Sequence, residues 1–299
     1  MADASKVTLH TMLGNYPIVA PLKSGAVRTG LAELDFVEVK VANNLFKRVV
    51  REAEYDLAEL AIVTYLQGKS YGKPYVLMPI VVVSRGQHHT IAYNAERGTL
   101  QPSDLPGKRV GVRAYTVTTG AWVRGILASD YGVDINKVEW VTFEDPHVAE
   151  FHDPDIVRRA PPGKELLQML LDGEIDAAIV GDKLPDARLR HLIPDADAVA
   201  KNWAERHHGV PINHMMVVRA ELSRSRPDVV QDVFRQFQES KRAAGLPDAG
   251  TLDPYRFGVE ACRPILEVII DFCRQQDLLA RPMSVDELFD DTTRVLGAG

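Results

Sequence analysis

Cysteine is nearly absent from this chain, which has only Cys262 and Cys273 among its 299 residues. The two lie in a segment of helical apolar spacing, which fits neither a disulfide framework nor a recognised metal site. We therefore expect both thiols to be buried as small apolar side chains in a protein of a reducing compartment.

Long apolar runs and basic clusters are missing as well. No stretch approaches the ~20 apolar residues of a membrane span. The net charge is −6 and Lys and Arg form no run, which argues against nucleic-acid binding. Residues 1–7 contain no basic cluster followed by an apolar core, so no secretory signal is predicted. We expect a cytoplasmic protein that binds neither nucleic acid nor a membrane.

Three common motifs are also absent: Gly-x-Ser-x-Gly, the phosphate-binding Walker loop and the dinucleotide-binding glycine pattern. A divalent ion held by His207, His208 and His214 is an alternative, but their spacing matches no recognised metal motif. We therefore predict neither a metal nor a cofactor.

The composition is that of a globular protein, with 45% hydrophobic and 25% charged residues, and the chain is long enough for two lobes. Strand-like and helix-like segments alternate, which predicts an α/β fold. The predicted strands cover residues 7–13, 34–39, 55–61, 78–83, 91–94, 109–112, 138–142, 175–180 and 214–219. The predicted helices include residues 43–53, 166–172, 227–244, 255–276 and 285–292, and residues 146–162 are predicted to form a surface loop.

The order of these elements predicts a two-lobed clamshell of the periplasmic-binding-protein type II class. Lobe 1 would comprise residues 1–93 and 212–299, and lobe 2 residues 94–211, with two crossover strands between them and helices at the carboxyl end. The last helices either cover an interface between copies or the core of the first lobe, through Val259, Leu266, Ile269, Ile270 and Phe272. We expect a homo-oligomer.

A hydroxyl-rich turn follows the predicted strand at residues 109–112. It contains Tyr115, Thr116, Thr118 and Thr119, and we predict that Thr118 or Thr119 caps the helix that follows. A helix that begins at such a turn directs backbone N–H groups and its positive end at one point, which favours an anion. Arg113 would add a guanidinium suited to a carboxylate, whereas Arg124 is expected to pair with a carboxylate on the surface.

Several segments resemble the 4,5-dihydroxyphthalate decarboxylase family, and the resemblance covers most of residues 6–245. It rests on residues 55–60, 79–85, 88–89, 107–112, 122–127, 171–177 and 211–214. The combination of Glu59, Ser84, Arg85, His89 and His214 is its most specific part. The resemblance implies a solute-binding-like fold and loss of one carboxylate from a dihydroxylated aromatic diacid, giving protocatechuate.

Two positions depart from the family pattern. His88 stands where the family usually has Arg, and Arg113-Ala114 stands where it usually has Pro-Glu. Both lie at the expected ligand cleft, so the resemblance leaves the identity of the diacid open.

Decarboxylation of an electron-rich ring requires bound carboxylates, a proton donor for the ring carbon and an acceptor that activates the phenol. We predict that His89 or His214, together with Glu59, handles the protons. The predicted substrate-binding residues are Ser84, Arg85, His88, Arg113, Tyr115, Thr116, Thr118 and Thr119. Alternatives stay open: Arg85 as a hinge ion pair, Glu59 as a helix cap, and either adjacent histidine as a packed core residue.

The predicted function is therefore a cofactor-independent decarboxylase of a hydroxylated aromatic dicarboxylate. The alternative is a solute-binding protein that captures an aromatic or small carboxylate without chemistry, because the same fold and arginines serve both.

Overall fold

The structure is a computed structural model that describes residues 6–27, 30–248 and 250–297. These residues form two compact units. Unit 1 contains the chain up to Arg85, His207–Ile270 and the residues from Leu279 onward, and unit 2 contains Gly86–Arg206 and Asp271–Leu278. None of the helices within these ranges is long and apolar enough to cross a membrane.

The described residues form eleven strands and eight α-helices. The strands are β1 (Val7–Met12), β2 (Ala32–Phe36), β3 (Leu57–Ala61), β4 (Tyr75–Ser84), β5 (Ile91–Asn94), β6 (Arg109–Val112), β7 (Glu139–Thr142), β8 (Val157–Arg159), β9 (Ala177–Ile179), β10 (Leu189–His191) and β11 (Ile212–Arg219). The helices are α1 (Ala20–Lys23), α2 (Ile62–Ser70), α3 (Thr118–Tyr131), α4 (Leu166–Asp172), α5 (Ala196–Arg206), α6 (Ala220–Ser225), α7 (Pro227–Ala243) and α8 (Val259–Gln275).

Unit 1 is built on a mixed sheet of order β2-β1-β3-β11-β4, in which only β11 runs against its neighbours. Helix α7 buries one apolar stripe, formed by Val229, Val233, Phe234 and Phe237, in the same core as Leu9, Met78 and Val218 of the strands. Because β11 is antiparallel, its first residues lie at the sheet edge where β1, β3 and β4 end. This is the edge at which open α/β sheets bind ligands.

Unit 2 has a second mixed sheet, of order β10-β5-β9-β6-β7-β8. Strand β5 pairs antiparallel with both β9 and β10. It therefore belongs to the second sheet, and the units divide after Arg85 and Arg206 rather than at residues 93 and 211. Residues 271–278, which include the end of α8, are counted with unit 2.

Most predicted elements are confirmed within a few residues, and α4 ends before Gly173 as expected because that glycine adopts φ +74°. Residues 43–53 form a 3-10 turn and a π-helical turn instead of a regular helix. The predicted loop at 146–162 contains β8, a three-residue strand at the edge of its sheet. Two of its three residues are exposed arginines, so the sequence lacks the apolar pattern that predicts a strand. The predicted helix at 285–292 is a 3-10 turn, Val285–Leu288.

Both cysteines are free and buried, and burial raises the pKa of each thiol to about 12. The apolar residues named for the last helices are buried within the single chain, so their burial requires no second copy.

His88 lies in the core of unit 2, and its predicted contact with substrate stays a prediction. It is 1% exposed, and its ring packs edge-on against Trp203 with centroids 6.4 Å apart. Neither ring nitrogen has a hydrogen-bond partner within the described residues. Burial lowers the pKa of His88 to about 4 because water no longer stabilises the imidazolium.

This burial predicts an acid-sensitive contribution to stability. A histidine whose folded pKa is lower than its unfolded pKa takes up a proton first in the unfolded state, so stability falls as the pH drops from about 6.5 towards 4. We expect the wild type to lose roughly 3 kcal/mol more than a His88→Gln variant over this window.

Urea unfolding at pH 7 and at pH 4 measures this difference. The matched control is the exposed His152, since His152→Gln should leave the pH dependence of the wild type unchanged. Equal acid sensitivity of wild type and His88→Gln would contradict the prediction.

Candidate functional site

Glu59 is a fully buried acid in the middle of β3, the central strand of the unit 1 sheet. The strand register places it opposite Met216 of β11, so His214, two residues earlier in β11, lies diagonally across on the same face of the sheet. The His214 Nδ1 and Glu59 Oε1 atoms are 3.1 Å apart.

Two more donors reach Glu59 from the turn that follows β1. The Gly14 N–H donates to Oε2 and the Tyr16 hydroxyl donates to Oε1, each over 2.7 Å. A Cβ atom on Gly14 would lie 2.8 Å from the Tyr16 hydroxyl oxygen, so a side chain here would displace the Tyr16 ring. We call Gly14, Tyr16, Glu59 and His214 the Glu59 cluster. Three donors on one buried carboxylate are the compensation that such a charge needs.

Tyr16 acts in this cluster as a proton-bearing donor. Burial raises the pKa of Tyr16 well above its usual range, and the negative charge of Glu59 raises it further, while the Arg85 guanidinium opposes both. Arg85 is thus within electrostatic reach of the cluster. Lys23 holds the same turn, donating to the Leu13 carbonyl over 2.6 Å and to Asn15 Oδ1 over 2.8 Å.

The His214 ring is fixed on two sides and remains partly open to solvent. Its Nδ1 faces Glu59, and the Phe46 ring packs edge-to-face with it at a centroid distance of 5.2 Å. The side chain is still 21% exposed. Because Nδ1 is engaged by Glu59, Nε2 is the ring nitrogen on the side away from that carboxylate.

Ser84 and Arg85 lie at the end of β4, as predicted from the apolar strand before them. The Ser84 hydroxyl donates to the Pro254 carbonyl over 2.8 Å, which commits its hydrogen to the backbone. The backbone N–H of Arg85 donates to the Pro211 carbonyl over 3.0 Å.

His89 lies in unit 2, on the 3-10 turn before β5. Its Nε2 is 3.3 Å from Asp182 Oδ1, and its ring packs edge-to-face with that of His191. The structure therefore gives His89 a carboxylate partner of its own.

The hydroxyl-rich turn of unit 2 joins β6 to α3. Arg113 Nη1 is 3.3 Å from Glu144 Oε2, and burial lowers the pKa of Arg113 while Glu144 acts against that shift. Tyr115, Thr116 and Thr118 are buried and Thr119 is half-buried. The predicted cap by Thr118 or Thr119 is wrong, because the helix begins at Thr118 and the cap residue is Val117, which offers no side-chain acceptor.

The expectation for Arg124 is also wrong. Arg124 is fully buried and donates to Gln276 Oε1 over 2.7 Å and to the Tyr115 carbonyl over 2.6 Å. Its position on the buried face of α3, between Val123 and Ile126, was the sequence signal against a surface location.

Within unit 1 the structure brings two predicted residues, Glu59 and His214, into direct contact across 155 positions of sequence. Gly14 and Tyr16 were missed, although they directly follow the carboxyl end of a strand, the same signal that identified Arg85. Across residues 6–27, 30–248 and 250–297, no three His, Cys, Asp or Glu side chains form a metal-binding group.

Comparison with solved structures identifies the fold. The chain is similar to the alkanesulfonate-binding protein SsuA from Xanthomonas axonopodis pv. citri, with TM-score 0.61 and 13% identity over 96% of this chain and 99% of that one. It is also similar to the desulfurization enzyme DSZB, with TM-score 0.59 and 14% identity over 96% and 98%. A Candida albicans protein described as having the generic periplasmic-binding-protein fold gives TM-score 0.54 and 13% identity over 97% and 94%. The predicted fold class is confirmed.

Sequence comparison identifies the family. No model of a known protein family matches the chain. The 4,5-dihydroxyphthalate decarboxylase of Comamonas testosteroni is 32% identical over 254 residues, which is 80% of this chain and 76% of that protein. The protein of the same name from Pseudomonas putida is 30% identical over 213 residues, 67% of this chain and 82% of that protein. The chain therefore belongs to the 4,5-dihydroxyphthalate decarboxylase family, a family of carboxy-lyases.

Proposed function

We propose that this protein releases one carboxylate, as carbon dioxide, from a hydroxylated aromatic dicarboxylate of the phthalate type. The two relatives named as 4,5-dihydroxyphthalate decarboxylases support the reaction class. The observation that carries the mechanism is the 3.1 Å contact between His214 and the buried Glu59. A buried acid that orients a partly exposed histidine is an arrangement suited to proton transfer.

The reaction needs one proton at one ring carbon. A phenolic hydroxyl para to the departing carboxylate loses its proton to a base, and its electrons make that ring carbon basic. A proton is added there, the ring–carboxylate bond breaks, and its electron pair restores the aromatic ring as a phenolate. The phenolate then takes back the proton that the base accepted. One carboxylate and one proton are consumed, and one carbon dioxide and one ring C–H bond are formed, so no oxidant or reductant is required.

In this proposal His214 Nε2 exchanges the proton with the substrate, and Glu59 stabilises the imidazolium through Nδ1. Tyr16 and Gly14 hold the Glu59 carboxylate in place through their hydrogen bonds. Arg85 supplies positive charge for a substrate carboxylate at the same edge.

For unit 2 we keep the predicted role in carboxylate binding for Arg113 and the first turn of α3. Arg113 is paired with Glu144 over 3.3 Å, so a carboxylate would have to compete with that exposed ion pair. His89 stays a second candidate for proton transfer, with Asp182 as its orienting acid. We propose that neither a metal nor an organic cofactor takes part.

Solute binding without chemistry is the second candidate, because two structural neighbours with this fold are titled as a sulfonate-binding protein and a desulfurization enzyme. The fold thus hosts both binding and catalysis and does not decide between them.

The deciding experiment is a carbon dioxide assay on the purified protein. It uses 4,5-dihydroxyphthalate and a panel of hydroxylated aromatic acids, each with and without EDTA, and identifies the product by chromatography. Release of one carbon dioxide per substrate, unaffected by EDTA, supports the proposal. Tight binding without release would establish the binding protein, and loss of activity in EDTA would contradict the metal-free mechanism.

Removal of either member of the proton-transfer pair should abolish most turnover. We expect His214→Gln and Glu59→Gln each to lower kcat by about 10²–10⁴-fold, because general acid–base catalysis contributes on that order. The matched control is His10→Gln, which changes an exposed histidine of the same sheet that is paired with Asp35. Its kcat should equal that of the wild type, and a His214→Gln enzyme with unchanged kcat would refute this assignment.

Tyr16→Phe tests the hydrogen bond that positions Glu59. Without the Tyr16 donor the carboxylate becomes a stronger acceptor for the His214 Nδ1–H, so the imidazolium is favoured. We expect kcat to fall by about tenfold, as for the loss of one hydrogen bond to a charged group. The pH midpoint of the rate profile should move upward. A purely structural role would lower the melting temperature and leave that midpoint where it is.

A further inference from the structure

Arg124 is a buried cation held by neutral groups in unit 2. Its Cζ lies 3.8 Å from the centroid of the Tyr115 ring and 5.2 Å from that of Trp140. Its Nε and Nη2 atoms donate to Gln276 and to the Tyr115 carbonyl. Gln276 is itself anchored by a 2.9 Å bond from its amide nitrogen to the Ala121 carbonyl.

No acidic side chain in the described ranges forms an ion pair with Arg124, and its Nη1 atom is buried without a hydrogen-bond partner there. The negative charge of Asp153 acts on the Arg124 guanidinium from a distance and opposes the lowering of its pKa by burial. Taking a guanidinium out of water without a carboxylate partner costs several kcal/mol, which the aromatic rings and one carbonyl offset only in part. The folded unit therefore contains a buried positive charge with no acid in direct contact, and Asp153 acts on it only from a distance.

This charge lies against the first turn of α3. Tyr115, whose carbonyl it binds, is in the turn before the helix, and a Cβ atom on Gly120, the third residue of α3, would lie 3.2 Å from Nη1. The helix has 14 residues and no side-chain cap. The N-terminus of α3 and the buried guanidinium therefore both contribute positive electrostatic potential at the first turn of this helix.

We propose that Arg124 is a positioning residue for an anion, and that a substrate carboxylate bound at the first turn of α3 adds negative charge near this unpaired guanidinium. The substrate part of this inference rests on the proposed function. Arg124 does not touch the carboxylate. It acts through the backbone of residues 115–120 and through its field, which is weakly screened because water is excluded around it.

A merely structural role would not require the charge. A neutral side chain of similar size would avoid the desolvation cost, and replacement of buried ionic groups by apolar ones is often neutral or stabilising. The charge should therefore be evident in ligand binding rather than in the stability of the ligand-free protein.

The experiment compares ligands that differ in charge by isothermal titration calorimetry. Phthalate carries two carboxylates and lacks the hydroxyls needed for turnover, benzoate carries one carboxylate, and catechol carries none. For Arg124→Gln we expect the Kd of phthalate to rise by about tenfold or more. The Kd of benzoate should rise less, and that of catechol should change by less than about twofold.

Three further variants separate charge from packing. Arg124→Lys retains the charge and should keep most of the phthalate affinity. Gln276→Leu removes a structural partner of Arg124 and should lower the melting temperature while leaving phthalate affinity near that of the wild type. Arg124→Met provides a second neutral variant should Arg124→Gln fail to fold, and the Lys variant alone still tests whether charge suffices.

Equal weakening of all three ligands, unchanged phthalate affinity in the neutral variants, or the lack of any phthalate binding by the wild type would each overturn the inference. The outcome is independent of the carbon dioxide assay. If phthalate affinity depends on the charge at residue 124 while no substrate is decarboxylated, the anion site stands and the proposed function fails.

Discussion

The burial of one carboxylate organises the candidate site of unit 1. Glu59 lies in the middle of a sheet with no exposed surface, and water cannot stabilise its charge there. Hydrogen bonds from Gly14, Tyr16 and His214 do so instead, and these residues come from two other strands and their connections. The turn after β1 supplies Gly14 and Tyr16, and the register of β11 places the His214 ring beside the same carboxylate. A site built this way is rigid because moving any one donor leaves a buried charge short of a partner.

Unit 2 contains the opposite situation. Arg124 is as deeply buried as Glu59, but it has aromatic rings, a carbonyl and an amide around it and no acid paired with it. In unit 1 three hydrogen-bond partners thus surround the buried acid, while in unit 2 the buried cation has no acid in direct contact. An incomplete charge reduces the stability of the empty protein, and proteins retain such costs mainly where a ligand or a reaction makes use of them.

The fold alone says little about the chemistry. Proteins at TM-scores near 0.6 to this chain are titled both as a sulfonate-binding protein and as a desulfurization enzyme. What distinguishes a decarboxylase from a binding protein is a group that can deliver a proton, and the proposed function assigns that role to the Glu59 cluster. Family membership and site geometry therefore support the same reaction class from independent observations.

Sequence alone determined the α/β alternation, the positions of most strands, the helix end at Gly173 and the candidacy of Glu59, His214 and Arg85. These follow from local periodicity and from polar residues placed at strand ends. Tertiary structure decided which of the candidate site residues contact one another. The contact between Glu59 and His214 depends on strand register across 155 positions, and Tyr16 joins them only because β1 pairs beside β3. Tertiary structure also decided that His88 and Arg124 are buried. The residues that cover them, such as Trp203 and Gln276, lie far away in the chain, so the local sequence does not show them.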